Sequence, residues 1–329
     1  MTVLLEQPHQ VLWSLTNACF AARCLHVVAA LGIADRLDEG AVPVGALAAD
    51  CDPDAVDRVL RLLAAYGVFE RTAEGYRHTP SSRLLRSDDA MSMRAFAQLF
   101  GVPLVWNALG ELEHAVRTGR PGVEKLEPGG FWAYLHSHPF EADVFGRAMA
   151  AKAGADVAAV LSTYDFSRFA TVADIGGGRG HLLRAVLDAT PTCDGVLFDL
   201  PEVVETLDVG HPRMAAASGD FFVDALPAAD AYLLMEVLHD WADEECVALL
   251  RAIRRAGPDE ATVLVIEDML SDSLDDPRAS TLDVVMLVVT GGRERTPGQL
   301  SALFDRAGFG IVRVLDTAGP MRIVEARPV

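Results

Sequence analysis

A glycine-rich segment provides the first residues whose types and spacing favour binding of a ligand. It follows an apolar run in VADIGGGRGHLLRAVLDATP (residues 172–191), and Gly176, Gly178 and Gly180 are spaced as GxGxG. Because glycine lacks a Cβ atom, a ligand can approach such a backbone closely. The dinucleotide fingerprint GxGxxG has its third glycine one residue later, and the GKS or GKT of a phosphate-binding loop is absent. The spacing predicts a ligand seat at a strand-to-helix turn, although such a turn can also be purely structural.

Two acidic residues follow the next apolar runs. Asp199 ends GVLFDLP, about twenty residues after the loop, where a ribose-binding acid is expected. A carboxylate there can accept hydrogen bonds from both ribose hydroxyls. Asp220 in SGDFF is placed to accept from an adenine amino group, and Phe221 to pack on the ring. The alternative is that both acids are helix caps or ordinary loop residues.

A histidine follows a third apolar run. His239 lies in LLMEVLHDWADEE, at the end of the run, where active-site residues of α/β sheets gather. A neutral imidazole in hydrogen-bond reach of a bound ligand can act as a general base. The alternative is a capping or surface histidine before an acidic helix. Asp240, the next residue, is predicted to begin that helix.

The elements that must hold these residues alternate in type from Val172 onward. Short β-branched or apolar runs are separated by helical patterns, which predicts an α/β fold with a mostly parallel, doubly wound sheet. A domain boundary is expected near residues 165–171. The runs are TVADIG, GVLFDLP, AAASGDFF, AYLLMEVL, TVLVIEDML, GIVRVLDT and MRIVEARP.

The N-terminal third has a different pattern. Residues 9–31 form a long helix that is apolar on more than one face, which predicts burial against another element or another chain. A short helix over 43–50 precedes Asp52-Pro53, a cap and a first-turn proline for a helix that stops at Gly67. A hairpin with Glu74-Gly75 at its turn completes a winged-helix pattern. Residues 88–165 are predicted to be a helical connector that could wall a pocket.

The composition disfavours several classes of protein for this chain. The 329 residues are 51% hydrophobic and 23% charged, with a net charge of -19, so nucleic acid is an unfavourable partner. Five cysteines without a CxxC pair predict neither a disulfide framework nor a metal site. No signal peptide is recognisable, and the apolar stretch Ala18–Ala34 is broken by Arg23 and His26. A cytoplasmic protein without a membrane span is expected.

Five segments together resemble one enzyme family. GxGxG after an acidic strand, FDLP, GDFF, EVLHDWADEE and GGRERT resemble the S-adenosylmethionine-dependent O-methyltransferases of the caffeate and flavonoid type. Bacterial relatives of these enzymes act in antibiotic biosynthesis. The resemblance covers nearly the whole chain and implies a homodimer. It implies a winged-helix dimerisation domain over 1–87, a connector contributing to the acceptor pocket over 88–168, and a Rossmann-like catalytic domain over 169–329.

The resemblance also implies which residues hold S-adenosylmethionine. The three loop glycines would face its methionine part, and the ribose, the adenine and one wall of the site would be contacted by residues further along the chain. These are Asp199 for the ribose, Asp220 and Phe221 for the adenine, Trp241 for the wall, and Leu200 as a further cofactor-binding residue. Plant members usually have a lysine where this chain has Met235, so one cofactor contact is absent.

For catalysis the resemblance implies that His239 is the general base. Two acids would orient the imidazole, Glu267 in VLVIEDML and Glu294 in GGRERT, with Asp268 replacing Glu267 if the strand register shifts. An aromatic acceptor would be held by Phe145, Met149, Met286 and Asp240. Phenylalanine and methionine at helical spacing are often ordinary core residues, which is the alternative.

The sequence thus predicts methyl transfer to a hydroxyl of an aromatic small molecule, phenolic or polyketide-like. One alternative keeps the fold and cofactor but changes the chemistry to decarboxylation or hydroxylation. The other is a ligand-responsive winged-helix protein that binds DNA. Arg179, inside the loop, has no assigned role.

Overall fold

The computed structural model describes residues 7–207, 210–271 and 277–329. The chain forms two compact units. The first comprises Met1–Trp106 and Phe140–Ala151, and the second Asn107–Pro139 and Lys152–Val329. The domain boundaries expected from the sequence, after residues 87 and 168, stay predictions.

The first unit begins with the predicted winged helix. Its elements are α1 (Pro8–Leu31), α2 (Val44–Ala48), α3 (Pro53–Ala65), β1 (Phe69–Arg71), β2 (Tyr76–His78), α4 (Pro80–Arg83), α5 (Arg94–Leu99) and α6 (Pro103–Ala108), the last of which continues into the second unit. The side chain of Asp52 accepts from the N–H of Ala55 at 2.8 Å and caps α3, as predicted. The strands pair antiparallel, and the Tyr76 hydroxyl donates to Asp57 on α3 at 2.7 Å.

Helix α1 has a large exposed apolar surface over its first three turns. The side chains of Leu12, Trp13, Leu15 and Phe20 are 63–71% exposed, whereas Val28 and others near the C-terminal end are buried. Among the described residues, α1 is the one helix long and apolar enough to cross a membrane by length and composition alone. Within one chain, the predicted burial of α1 is therefore confined to its last turns.

The second unit is a seven-stranded sheet with helices. Its elements are α7 (Leu112–Thr118), α8 (Gly130–Ser137), α9 (Pro139–Thr163, of which Phe140–Ala151 belong to the first unit), β3 (Thr171–Ile175), α10 (His181–Ala189), β4 (Asp194–Asp199), α11 (Pro201–Val204), β5 (Met214–Ser218), β6 (Ala231–Met235), α12 (Asp243–Ala256), β7 (Thr262–Glu267), α13 (Arg278–Val289), α14 (Pro297–Ala307), β8 (Phe309–Asp316) and β9 (Arg322–Pro328). All seven predicted strands are present.

The strand order is β5-β4-β3-β6-β7-β9-β8. Strands β3 to β7 run parallel, while β9 is antiparallel to both neighbours. From β3 the chain winds first towards β5 and then, from β6, in the opposite direction. The order therefore reverses between β3 and β6, and ligands of such sheets bind at the carboxyl ends of the strands beside that point.

Apolar residues on both faces of the sheet hold these strand ends in place. One cluster contains Ile175, Phe198 and Leu234 with residues of α12 and α14, and the other contains Leu197 with residues of α9 and α10. Burial on both faces explains why the strands have near-continuous apolar runs rather than alternation. The predicted doubly wound, mostly parallel sheet is confirmed.

Candidate active site

The glycine loop between β3 and α10 adopts a backbone that only glycine takes readily. Gly176, Gly178 and Gly180 have φ of +67°, +57° and +71°. A Cβ atom at Gly177 would lie 2.6 Å from the carboxyl group of Asp174. The loop is therefore wrapped tightly against the end of β3, with bare backbone where the sequence predicted a ligand seat.

Asp199 connects this loop to the end of β4. Its Oδ2 accepts from the N–H of Gly178 and its Oδ1 from the N–H of Leu200, both at 2.7 Å. Burial raises the pKa of Asp199, and the two N–H donors act in the opposite direction. Three residues predicted to bind the cofactor are thus brought together, with the carboxylate fixed by backbone amides.

A group of aromatic rings lies beside the loop. The ring of Phe221 is 5.7 Å from that of Trp241 in an edge contact, and it is 3.7 Å from the position of a Cβ on Gly176. Trp132, from α8, stacks on Trp241 at 6.1 Å. Asp220 accepts from the N–H of Phe222 at 2.8 Å and so fixes the turn that carries these rings. The sequence predicted all but Trp132, which lies in the segment predicted to be a helical connector that could wall a pocket.

Two buried polar atoms near the loop have no hydrogen-bond partner among the described residues, Oδ2 of Asp174 and Nδ1 of His181. Asp174 is 2% exposed, and burial together with the nearby carboxylate of Asp199 raises its pKa to about 7. Unsatisfied buried polar groups are costly, so their presence on both sides of the loop indicates that a polar ligand completes the site. Neither residue was predicted from the sequence to have a role in the site.

His239 is carried by a 3-10 turn, Leu238–Asp240, after β6. Its Nδ1 lies 2.8 Å from Oε1 of Glu294, and its backbone N–H donates to Oε1 of Glu267 at 3.1 Å. Its Nε2 lies 3.8 Å from Oδ1 of Asp240, beyond hydrogen-bond distance. The structure thus brings Glu294 to the imidazole and Glu267 to the backbone of His239, and Nε2 is the nitrogen left for another group.

The carboxylates determine the charge on this imidazole. Burial alone would lower the pKa of His239, but Asp240, Glu294 and Glu267 raise it to about 10. Burial raises the pKa of Glu267 to about 7 and that of Asp240 to about 6, while His239 opposes both shifts. These carboxylates therefore favour the imidazolium, whereas the sequence led us to consider a neutral imidazole as the base.

The position of Asp240 differs from the prediction, and the positions of Glu267 and Asp268 decide between two alternatives. Asp240 does not begin the following helix, because α12 starts at Asp243, whose neighbours supply the acidic first turn. Asp240 instead ends the turn and lies against His239. Glu267, rather than Asp268, contacts His239, through the backbone N–H of that residue, whereas Asp268 pairs with Nε of Arg278 at 3.1 Å.

The segment GGRERT closes around the back of the histidine turn. A Cβ at Gly292 would clash with the carbonyl oxygen of His239 and lie 2.7 Å from the nitrogen of Trp241. The N–H of Arg293 donates to the His239 carbonyl at 2.8 Å. The buried guanidinium of Arg295 donates to the carbonyls of Leu238 and Trp241 at 2.8 and 2.7 Å. Only Glu294 of this segment was predicted from the sequence to have a role, so the contacts that position the histidine turn were not anticipated.

The predicted acceptor residues lie in different units. Met286 is buried in α13, in the second unit. Phe145 and Met149 lie in the part of α9 that belongs to the first unit. Their roles in binding an acceptor stay predictions.

The comparisons agree over most of the chain. Residues 109–310 match the model of an O-methyltransferase domain, and residues 13–88 match that of an O-methyltransferase dimerisation domain. A phenazine O-methyltransferase of Lysobacter antibioticus is 38% identical, over 97% of this chain and 96% of that protein. A mitomycin biosynthesis 6-O-methyltransferase of Streptomyces lavendulae is 37% identical, over 94% and 92%.

Solved structures show the same architecture. The crystal structure of LaPhzM has a TM-score of 0.92 at 38% identity and covers 98% of this chain and 99% of that one. An O-methyltransferase from neocarzinostatin biosynthesis, solved with S-adenosylmethionine and 2-hydroxy-5-methyl naphthoic acid, has a TM-score of 0.80 at 30% identity, over 94% and 96%. This chain belongs to the S-adenosylmethionine-dependent O-methyltransferases and carries their dimerisation domain.

Proposed function

We propose that this enzyme methylates a hydroxyl of an aromatic small molecule, phenolic or polyketide-like, with His239 as the general base. The observation that carries the proposal is the contact of His239 Nδ1 with Glu294, which leaves Nε2 for the acceptor. Relatives named for phenazine and mitomycin, and a neighbour solved with a naphthoic acid, support an aromatic acceptor.

The residues at the sheet edge fit the cofactor. The glycine loop leaves a cradle that side chains would fill, and Asp199 offers a fixed carboxylate to a ribose. Phe221 and Trp241 offer ring faces or edges to an adenine. The orphaned polar atoms of Asp174 and His181 require polar partners, which a methionine tail carries. When bound, S-adenosylmethionine supplies an electrophilic methyl group on a sulfonium, together with a neutral thioether as leaving group.

The protein's task is then to align the acceptor oxygen and to remove its proton. Glu294, at Nδ1, holds the ring with Nε2 directed away, and stabilises the imidazolium once it has formed. The Arg295 and Gly292 contacts fix the turn, and hence the direction of Nε2. Alignment of reacting groups is itself a large part of the rate of a displacement reaction.

Two routes lead to the same reactive state. A phenol can transfer its proton to the small population of neutral imidazole, or a phenolate can bind beside the imidazolium that predominates. Both give an imidazolium next to a phenolate, and both give the same dependence of rate on pH. The raised pKa of His239 favours that state because it makes the imidazole a strong proton acceptor.

Purified protein, S-adenosylmethionine and a panel of aromatic acceptors, followed by mass spectrometry, test the reaction. We expect products heavier by one methylene unit. Added oxygen or lost carbon dioxide would instead indicate hydroxylation or decarboxylation. His239→Ala should lower kcat by about 10²–10⁴-fold, while the exposed His136→Ala should not. An unchanged rate in His239→Ala would leave alignment alone as the catalytic effect.

We also propose that the enzyme is a homodimer that uses the exposed apolar face of α1. The dimerisation-domain match covers this helix from residue 13, and the face includes Trp13 and Leu15 at 69% and 71% exposure. A patch of this kind marks an interface. Trp13→Glu with Leu15→Glu should give monomers in sedimentation at micromolar concentration. Val116→Glu, at an equally exposed valine, is the control. A wild-type monomer would contradict the proposal.

A further inference from the structure

A buried ion pair lies at the carboxyl end of β6 and has no part in the reaction described above. Nζ of Lys152, on α9, donates to Oε1 of Glu236, and the two side chains are only 10% and 11% exposed. The chain has one other lysine, Lys125, which pairs with Glu111 at 47% and 28% exposure. Both are lysine–glutamate ion pairs, but the Lys152 pair is far less exposed than the Lys125 pair.

The backbone of Glu236 is held in an unusual conformation. Its φ is +54°, in the left-handed region, and among the described residues only Ala49 is another non-glycine residue with positive φ. Its N–H donates to the carbonyl of Ile266 on β7 at 3.0 Å, which fixes the position. Non-glycine residues in this region concentrate at functional sites.

The pair lies beside the glycine loop. Val237, the next residue, has a side-chain carbon 3.2 Å from the position of a Cβ on Gly176. Burial lowers the pKa of His181, and the Glu236 carboxylate acts in the opposite direction, so Glu236 is also near the first residue of α10. Nδ1 of His181 is one of the two orphaned polar atoms. The pair therefore lies next to the glycine loop, on the β6 side of the strand reversal.

The ammonium group of Lys152 has hydrogen-bond donors beyond the one that Glu236 accepts. An ammonium group has three donors, and that of Lys152 has one hydrogen-bond acceptor among the described residues, Glu236. A buried ion pair is favourable only when its remaining donors and lone pairs also find partners. The amino-acid tail of S-adenosylmethionine carries one ammonium and one carboxylate. Its ammonium is complementary to the carboxylate of Glu236, and its carboxylate is complementary to the ammonium of Lys152.

We propose that Glu236 and Lys152 bind the amino-acid tail of the cofactor, with Glu236 accepting from its ammonium and Lys152 donating to its carboxylate. This inference rests on S-adenosylmethionine as cofactor but not on the acceptor or on His239. It makes the pair part of the cofactor site from two chain segments outside the glycine loop.

The test compares two ligands by titration calorimetry. S-adenosylhomocysteine carries the tail, whereas 5′-methylthioadenosine has the same nucleoside and thioether without it. Glu236→Gln and Lys152→Met should each weaken S-adenosylhomocysteine about tenfold or more, the usual effect of losing a charged hydrogen bond. Binding of 5′-methylthioadenosine should stay within about twofold. Lys125→Met, the matched control, should change neither.

Equal weakening of both ligands, or of neither, would overturn the proposal and leave the pair as a structural link between α9 and β6. If a single variant leaves a lone buried charge and does not fold, the double variant Glu236→Gln, Lys152→Met removes both charges. In the double variant the preference for S-adenosylhomocysteine over 5′-methylthioadenosine should fall by at least the factor of a single variant. No acceptor is present in these titrations, so failure of the acceptor screen would not alter their outcome.

Discussion

Asp199 and Glu267 end two strands of the same sheet, β4 and β7, and both accept from backbone N–H groups, but their surroundings differ. Both oxygens of Asp199 accept from backbone N–H groups, one in the glycine loop and one at the next residue. Glu267 accepts from the backbone N–H of His239 and, together with Asp240 and Glu294, raises the pKa of the imidazole. The cofactor side relies on backbone amides around one carboxylate, and the catalytic side on several carboxylates around one histidine. Substitutions on the two sides should therefore affect different constants.

The largest effect is expected at Gly292, where the backbone of one segment touches the histidine turn. Gly292→Ala adds a Cβ that clashes with the His239 carbonyl, so the turn must move. We expect kcat/KM for the acceptor to fall at least about a hundredfold, because a displacement of about 1 Å can cost that much. Binding of S-adenosylhomocysteine should be unchanged.

Gly298→Ala is the control for this substitution, since a Cβ there meets nothing within 4 Å. A rate for Gly292→Ala equal to that of the control would show that the turn tolerates displacement.

Glu294→Gln should separate catalysis from cofactor binding. The amide keeps the size of the side chain but loses the charge that stabilises the imidazolium. We expect kcat to fall about tenfold to a hundredfold, less than the roughly 10²–10⁴-fold effect of losing the base itself, with the Kd of S-adenosylhomocysteine unchanged. Steady-state kinetics and calorimetry on the same preparation measure both. A rise in Kd without a fall in kcat would reverse the roles assigned to the two sides.

Asp199→Asn should give the opposite result. An amide at this position accepts more weakly from the Gly178 N–H and from a ribose hydroxyl, so the Kd of S-adenosylhomocysteine should rise about tenfold. At saturating cofactor, kcat should change less than in Glu294→Gln. If kcat falls while Kd does not, Asp199 acts on the reaction rather than on the cofactor.

The smallest effect concerns stability at Asp174. In the folded protein the pKa of the Asp174 carboxyl is about 7, against 3.8 ordinarily. The free energy of unfolding therefore falls as the pH rises from 3.8 to 7, because Asp174 ionises more readily in the unfolded chain. Asp174→Asn removes this loss of stability. The Tm of the variant without cofactor should equal that of wild type near about pH 4 and exceed it by a few degrees near about pH 8.

Asp194→Asn, at an exposed aspartate of the next strand, is the matched substitution at a surface site. A Tm difference for Asp174→Asn that does not depend on pH would show that Asp174 titrates normally in the folded protein.

The contrast between the two sides also explains what the sequence could predict. Glycine spacing and the acid at the end of β4 are local patterns, so the loop and Asp199 could be identified from neighbouring residues. The seven strands could be predicted because each is a short apolar run between turns. Glu267 and Glu294 could be identified only through resemblance to a family, since nothing local links them to His239.

Other residues escaped because their roles arise only from packing. Arg295 is a surface-type residue by composition, but folding buries it against the carbonyls of the histidine turn. Lys152 and Glu236 are 84 residues apart and meet only when α9 lies beside β6. The charge on His239 depends on three carboxylates together, which is why a neutral imidazole was expected from the sequence.

The dependence of kcat/KM on pH, at saturating S-adenosylmethionine, tests most directly whether His239 takes the acceptor's proton. Since carboxylates hold the pKa of His239 high, kcat/KM of wild type should rise with pH beyond its ordinary value of 6.5. In Glu294→Gln the rise should move to lower pH, and in His239→Ala that rise should be lost. The same rise in all three proteins would belong to the acceptor's own hydroxyl and would contradict the base role of His239.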